Sequence, residues 1–416
     1  PFGQFPRHVA LLAGVAVALL LAPKVKVSEK LDVFCQSMGN SGVMMIVLIY
    51  LMAGGFQGAA ATMGGKDSVI NMALHFIPVS LLIPGVFLMC CFISTAIGTS
   101  MGTIAAMAPV AIGVAQGAGL NPAIVGAAVI GGSYFGDNLS MISDTTISAA
   151  QGCGSEMRDK FRMNFLIVLP AAIITLVLFI VLTWGGSGQV TLESYSLWKV
   201  LPYLVVLVGA VLGVNVFLIL MIGTVLSLIV GIASGAFPWT QMFSVMGTGV
   251  QAMYDITVIS IIVACIGALV KEYGGIQWLI EFIRRRVKTR KGAQLGIAGL
   301  VAAVDVATAN NTVAIVMSGS IAKEISQEYD IDPRRTASLL DIFSCIVQGI
   351  IPHGGQVLLC ITLTGLSPFS IIAANYYVFF LAIVSICTIQ FGLGRTKEEK
   401  AGIAMYDENN EVVSLK

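Results

Sequence analysis

Long apolar runs dominate this chain, and short clusters of Gly, Ser, Thr, Asn and Asp interrupt them at a few places. Residues 68–136 contain no Asp, Glu, Lys or Arg, and neither do residues 342–394. A membrane-crossing helix needs about 20 apolar residues, so each stretch holds more than one crossing or re-entrant element. The pattern predicts spanning segments near 8–22, 41–63, 122–152 (broken), 163–184, 198–213, 214–233, 250–271, 335–361 (broken) and 371–391. Two further stretches with polar tips, 74–118 and 292–328, fit re-entrant hairpins, whose non-helical tips are tolerated only where they line a cavity. A pair of full crossings fits the same spacing.

The interruptions are duplicated. Ser94-Thr95-Ala96-Ile97-Gly98-Thr99-Ser100-Met101-Gly102-Thr103, running on to Asn121-Pro122, aligns without a gap onto Asp305-Val306-Ala307-Thr308-Ala309-Asn310-Asn311-Thr312, running on to Asp332-Pro333, 211 residues later. Fifteen residues past each proline a second polar break begins, Asp137–Thr146 in one copy and Gln348–Val357 in the other. Identities such as Pro122/Pro333 and Gln116/Gln327 are few, so the repeat lies in the pattern. Duplicated units with interrupted apolar segments are the signature of a secondary transporter.

The predicted fold is therefore an all-α integral membrane protein, built from two inverted-topology repeats with re-entrant hairpins and broken transmembrane helices. Residues 1–184 form the N-terminal repeat, 185–213 a connecting segment, 214–391 the C-terminal repeat and 392–416 a polar cytoplasmic tail. Basic residues set the orientation. Lys24, Lys26 and Lys30, then Arg158, Lys160 and Arg162, then the run from Arg284 to Lys291, Arg334 with Arg335, and finally the tail all fall on one side. That side is the cytoplasm of a multi-pass inner (plasma) membrane protein. The loops at 64–73, 185–197 and 234–249 carry Lys66 as their one basic residue and fall outside. Residues 276–291, basic and amphipathic, suit a helix at the cytoplasmic interface or an ordinary solvated face.

Composition agrees: the chain is 57% hydrophobic and 11% charged, against roughly 25% charged in soluble domains. A net charge of +1 leaves no footprint for nucleic acid. The eight cysteines form no CxxC pair and read as small packing residues. The chain opens at Pro1, which suggests that a further N-terminal piece precedes it, and His8–Leu21 reads as a mature helix rather than a signal peptide.

The ionisable residues inside the apolar segments are Asp137, Asp144, Asp255, Asp305 and Asp341, with no Lys, Arg or Glu beside them at depth. A charge at the bilayer centre costs about 2.5–3.5 kcal/mol, so a set of acids there needs cations or protons to neutralise it. Carboxylate, hydroxyl, amide and freed carbonyl oxygens suit a small alkali ion. The densest cluster runs from Gly131 to Thr146 and holds two carboxylates after a glycine-rich unwinding point. Ser143 or Asp144 could also simply cap the resuming helix.

This string closely resembles the GxxFGDxxSxxSDTT signature of the NhaC-type sodium/proton antiporters, within the broader ion-transporter superfamily. The resemblance implies paired hairpin tips and paired broken helices meeting at mid-membrane. It places Thr95, Thr99, Ser100 and Thr103 at the first tip and Asp305, Thr308, Asn310, Asn311 and Thr312 at the second. Asp137, Asn138, Ser143, Asp144, Thr145, Thr146, Asp305, Thr308, Asn310 and Asn311 are the expected ion and proton ligands, with Asp144 and Asp305 holding sodium. Thr95, Thr99, Ser100, Thr103, Thr312, Asp341, Gln348, His353 and Gln356 are the expected substrate-facing set. The second break, Gln348 to Gln356, has no carboxylate opposite Asp137 or Asp144, so the halves are not equivalent sites. His353 is read either as a proton carrier or as a backbone-bonded structural residue.

Two functions follow: exchange of sodium for protons by alternating access, or sodium-coupled transport of a small organic solute such as an amino acid or carboxylate. Neither needs a cofactor beyond the sodium ion. The partners are the lipid bilayer, sodium, protons and, in the second reading, that solute; a homodimer is left open. A membrane-embedded hydrolase is disfavoured, because no nucleophile–base pair or histidine-rich metal set is present, and the chain is read as no enzyme.

Overall fold

The structure is a computed structural model that describes residues 7–76, 78–140, 143–184, 194–212, 214–286 and 288–393, together with Thr396, Glu399, Met405 and Tyr406. Every regular element among the described residues is a helix, with no β-strand. Three of their helices are long and apolar enough to cross a membrane.

Ten helices position the site and are labelled here in chain order: α1 (Val79–Ile97), α2 (Ser100–Gly117), α3 (Pro122–Leu139), α4 (Asp144–Cys153), α5 (Met157–Thr183), α6 (Arg290–Thr308), α7 (Asn311–Glu328), α8 (Pro333–Gln348), α9 (Gly355–Thr364) and α10 (Tyr376–Gln390). The expected interruptions fall at 98–99 and 309–310, and the expected broken helices part at 140–143 and 349–354. The starts are written in the sequence. Asn121 and Asp332 each accept a hydrogen bond from the backbone N–H two residues on, with Pro122 and Pro333 at the first helical positions. Proline there gives up an N–H that has no intrahelical partner anyway.

Positions 211 residues apart do the same backbone work. Gly98 and Ala309 both take left-handed conformations, φ 76° and 49°, and their N–H groups close α1 and α6 onto Ser94 O and Asp305 O. Thr99 and Asn310 follow in extended conformation, at φ −149° and −148°. Asn310 goes on to cap α7 by accepting from Val313 N–H at 3.0 Å. The packing repeats as well. α1 lies on α3 as α6 lies on α8, and each returning arm crosses to the other half, α2 onto α9 and α7 onto α4.

The α1–α3 contact is close because Gly132 and Gly136 face it. A Cβ built on Gly136 would stand 2.2 Å from Ser94 Cβ. Gly136→Ala is expected to destabilise the fold by about 1–3 kcal/mol through overpacking. An unchanged thermal midpoint in detergent would count against that contact.

Several expectations need correction. The segment near 163–184 begins at Met157, so Lys160 lies inside α5 rather than in a cytoplasmic loop. It is fully buried. α5 is long and mostly apolar: one face carries Lys160, Asn164 and Phe179 inward, while Leu166, Ile173, Val177 and Val181 are exposed. A helix apolar on its outer face as well is one made for lipid. Helices at Val27–Met38, Gly65–Phe76, Met242–Gln251 and Pro368–Ala373 were not anticipated, whereas the amphipathic segment appears as Gly275–Arg286. Most of the 392–416 tail lies outside the described residues, as does the side chain of Asp255.

Candidate functional site

Both tips and both breaks open onto one cavity of about 480 Å³. Asp137, on the last turn of α3, anchors it: Oδ1 accepts the backbone N–H of Ser100 at 2.9 Å and the Ser143 hydroxyl at 3.5 Å. The first tip is thereby docked on the first break, with a helix N-terminus facing a carboxylate. Ser100 Oγ in turn accepts from Gln356 Nε2 at 3.0 Å. Gln356 Oε1 accepts from Gln348 Nε2 at 3.0 Å, and Gln348 Nε2 also donates to Ala309 O at 2.9 Å. A continuous hydrogen-bonded chain therefore joins the first break, the first tip, the second break and the second tip.

That chain explains the asymmetry of the halves. Gln348 stands at the position equivalent to Asp137. Asp137 accepts from its own tip, whereas Gln348 donates to its own tip. Gln348 keeps Oε1 buried without a hydrogen-bond partner among the described residues. One half supplies charge and the other supplies neutral amides.

Ser143 precedes α4 but makes no side-chain cap. Its hydroxyl instead pairs with Thr145 Oγ1 at 2.8 Å and with Asp137. Asp144, in the first turn of α4, is exposed to the cavity and has no hydrogen-bond or ion-pair partner among the described residues. Thr99, Ser100, Asn310, Asn311, Thr312 and Gln356 complete the expected lining, on which Asp137, Ser143, Asp144, Thr145 and Gln348 also lie. Carboxylate, hydroxyl and amide oxygens thus surround a space of the right chemistry for a hard cation.

Other expected residues fall elsewhere. Asp305 is fully buried in α6, with neither carboxylate oxygen hydrogen-bonded among the described residues, and it does not line the cavity. Asn138 and Thr146 lie behind the break, where both meet Lys160. Asp341, expected to face the cavity, is also behind it and is paired with Lys160 at 2.5 Å. The expectation that no base accompanies the acids at depth is corrected by that pair. Thr95 faces a lateral apolar groove and bonds Cys91 O, while Thr103 is buried on Thr99 O. Thr308 bonds backbone carbonyls beside the second tip. His353 Nε2 lies 3.0 Å from Val306 O, the backbone-bonded alternative.

Asn40, Ser41 and Lys271 also line the cavity, and no pattern along the chain pointed to them. They sit at or just outside the ends of scaffold helices, away from any break. The scaffold also props the second break, through Tyr50 OH donating to Gly355 O at 3.1 Å and Gln57 Nε2 to Leu363 O at 3.4 Å.

A sequence profile described as the Na+/H+ antiporter family matches residues 7–184 and 190–393. The chain is 22% identical over 448 residues to a protein named the malate-2H(+)/Na(+)-lactate antiporter of Bacillus subtilis, covering 100% of this chain and 94% of that one. It is 25% identical over 384 residues to the Na(+)/H(+) antiporter NhaC of the same organism, covering 83% and 84%. Among solved structures, the YdaH transporter of Alcanivorax borkumensis aligns over 90% of each chain at 13% identity, with a TM-score of 0.45.

Proposed function

The chain belongs to the Na+/H+ antiporter family, and we propose that it exchanges sodium for protons by alternating access at the cavity between its tips and breaks. The observation that carries this reading is the Asp137 carboxylate, joined to the first tip and first break and facing the same cavity as Asp144. A carboxylate withdrawn from bulk water is neutralised by a proton or by a small cation, and one ligand displaces the other. Sodium would be held by Asp137, Asp144 and the hydroxyls of Ser143 and Thr145. Asn310 and Asn311 would approach from the second tip.

We read the two halves as inverted repeats with re-entrant hairpins. The matched backbone at Gly98 and Ala309 and the reciprocal packing of α2 on α9 and α7 on α4 support this. The orientation, with the C-terminus cytoplasmic, draws support from contacts within each assigned side. Glu399 of the tail accepts from Arg290 and from Asp332 N–H, two loops assigned to the cytoplasm. Ser196 N–H reaches Ser68 Oγ at 3.5 Å, between two loops assigned outside.

Reconstituted protein is expected to drive proton flux from a sodium gradient with no organic solute present. Sodium gradients that move no protons would sink this reading.

A second reading, sodium-coupled exchange of an organic carboxylate, is favoured by Lys271. This basic residue lines the same cavity as Asn310 and Asn311 at the N-terminus of α7, a setting that suits an anion. A relative named for malate and lactate fits the same chemistry. If sodium and protons alone are exchanged, Lys271→Gln is expected to leave flux within about twofold of wild type, since truncating an exposed charge is a small change. Flux that requires added lactate or malate and disappears in Lys271→Gln would promote the second reading.

A further inference from the structure

The two halves close their breaks alike, with one addition. Asn138 O, at the end of α3, accepts from Asn164 Nδ2 at 2.9 Å. At the matching place 211 residues later, Gly349 O accepts from Asn375 Nδ2 at 3.1 Å. To the first break alone is added a lysine: Lys160 Nζ reaches Asn138 O at 3.1 Å, Thr146 Oγ1 at 2.6 Å and Asp341 Oδ2 at 2.5 Å. The positions equivalent to Lys160 and Asp341 in the other half are Ile371 and Ile130. An amide therefore suffices to close such a break. Closure does not account for the ion pair, whose side chains are both 0% exposed and carry a heavy desolvation penalty.

The ammonium stands directly behind the cavity wall. Thr146 Oγ1 accepts from Lys160 and donates onward to Asp137 O at 3.3 Å. Asn164 Nδ2 also donates to Asp341 Oδ2 at 2.8 Å, so α5, α8 and both ends of the first break are tied at one point. A resident cation at the carbonyl end of α3 takes up oxygen atoms that would otherwise attract a mobile ion. Sodium is left to the Asp137 side.

We infer that the Lys160–Asp341 pair is a positioning device for the transported cation: it holds Asn138 and Thr146 back so that Asp137 presents its carboxylate to the cavity. The inference rests on the sodium-exchange reading above. It is tested with K160I/D341I, which gives the first half the residues that the second half carries. The double variant should fold in detergent, raise the sodium KM about tenfold or more, and keep its maximal rate within about threefold. An unchanged sodium KM overturns the inference. Should the double variant not fold, Asp341→Asn keeps the shape and an acceptor for Lys160 while removing the charge, and a sodium KM equal to wild type there overturns it equally. Wild-type protein is assayed alongside. Absence of sodium-driven proton flux there counts against the exchange reading, whereas flux there with an unchanged KM in the variant counts against the ion pair.

Discussion

Asp137→Asn is expected to give a folded protein whose sodium-driven proton flux falls by about 100-fold or more, the equivalent of roughly 3 kcal/mol of lost charge–ligand interaction. The substitution is nearly isosteric, and the amide oxygen can still accept from Ser100 N–H as Asp137 Oδ1 does. The tip therefore stays docked, and the loss falls on ion binding rather than on folding. Asp144→Asn should act in the same direction with a smaller effect, because Asp144 is exposed to the cavity and shares solvent with its ligand. The check is proton flux in proteoliposomes, normalised to inserted protein. Wild-type flux in Asp137→Asn would remove that carboxylate from the transport site.

The largest effect on stability is expected from Lys160→Met. It leaves Asp341 buried without its countercharge, with Asn164 alone still bonded to Oδ2. Removing one partner of a buried pair costs about 3–5 kcal/mol, whereas replacing both with apolar residues of similar volume is close to neutral. Lys160→Met should therefore show a sharply lowered thermal midpoint in detergent, and adding Asp341→Leu should restore most of it. A single variant as stable as wild type would mean that water reaches the pair.

Much of this was legible in the chain because the breaks are chemically conspicuous. Glycine, serine, threonine and asparagine inside apolar runs marked the tips at Gly98–Thr99 and Ala309–Asn310, and Asn121-Pro122 with Asp332-Pro333 marked the helix starts. The offset between copies carried the matched backbone conformations. The missing parts were side-chain directions. Lys160 sits between Arg158 and Arg162 and so read as one more loop base. Yet it shares a helix face with buried Met163, Asn164 and Ile167, which is where helical periodicity would place it. Asp341 looked like a cavity ligand because it is an acid inside an apolar segment, but depth in the membrane does not give azimuth on the helix. Lys271 was missed because it ends a scaffold helix with no break nearby.

The central claim is that sodium and protons contend for the same carboxylates, so their binding must be linked. Lowering pH protonates the acidic set and leaves fewer ionised ligands for sodium, and sodium binding must expel protons in return. The most direct measurement is sodium affinity of the purified protein across about three pH units, with proton release recorded in the same titration. Apparent sodium affinity should weaken steadily as pH falls, and added sodium should acidify an unbuffered sample. Sodium affinity that stays constant with pH, with no proton released, would contradict exchange at a shared site.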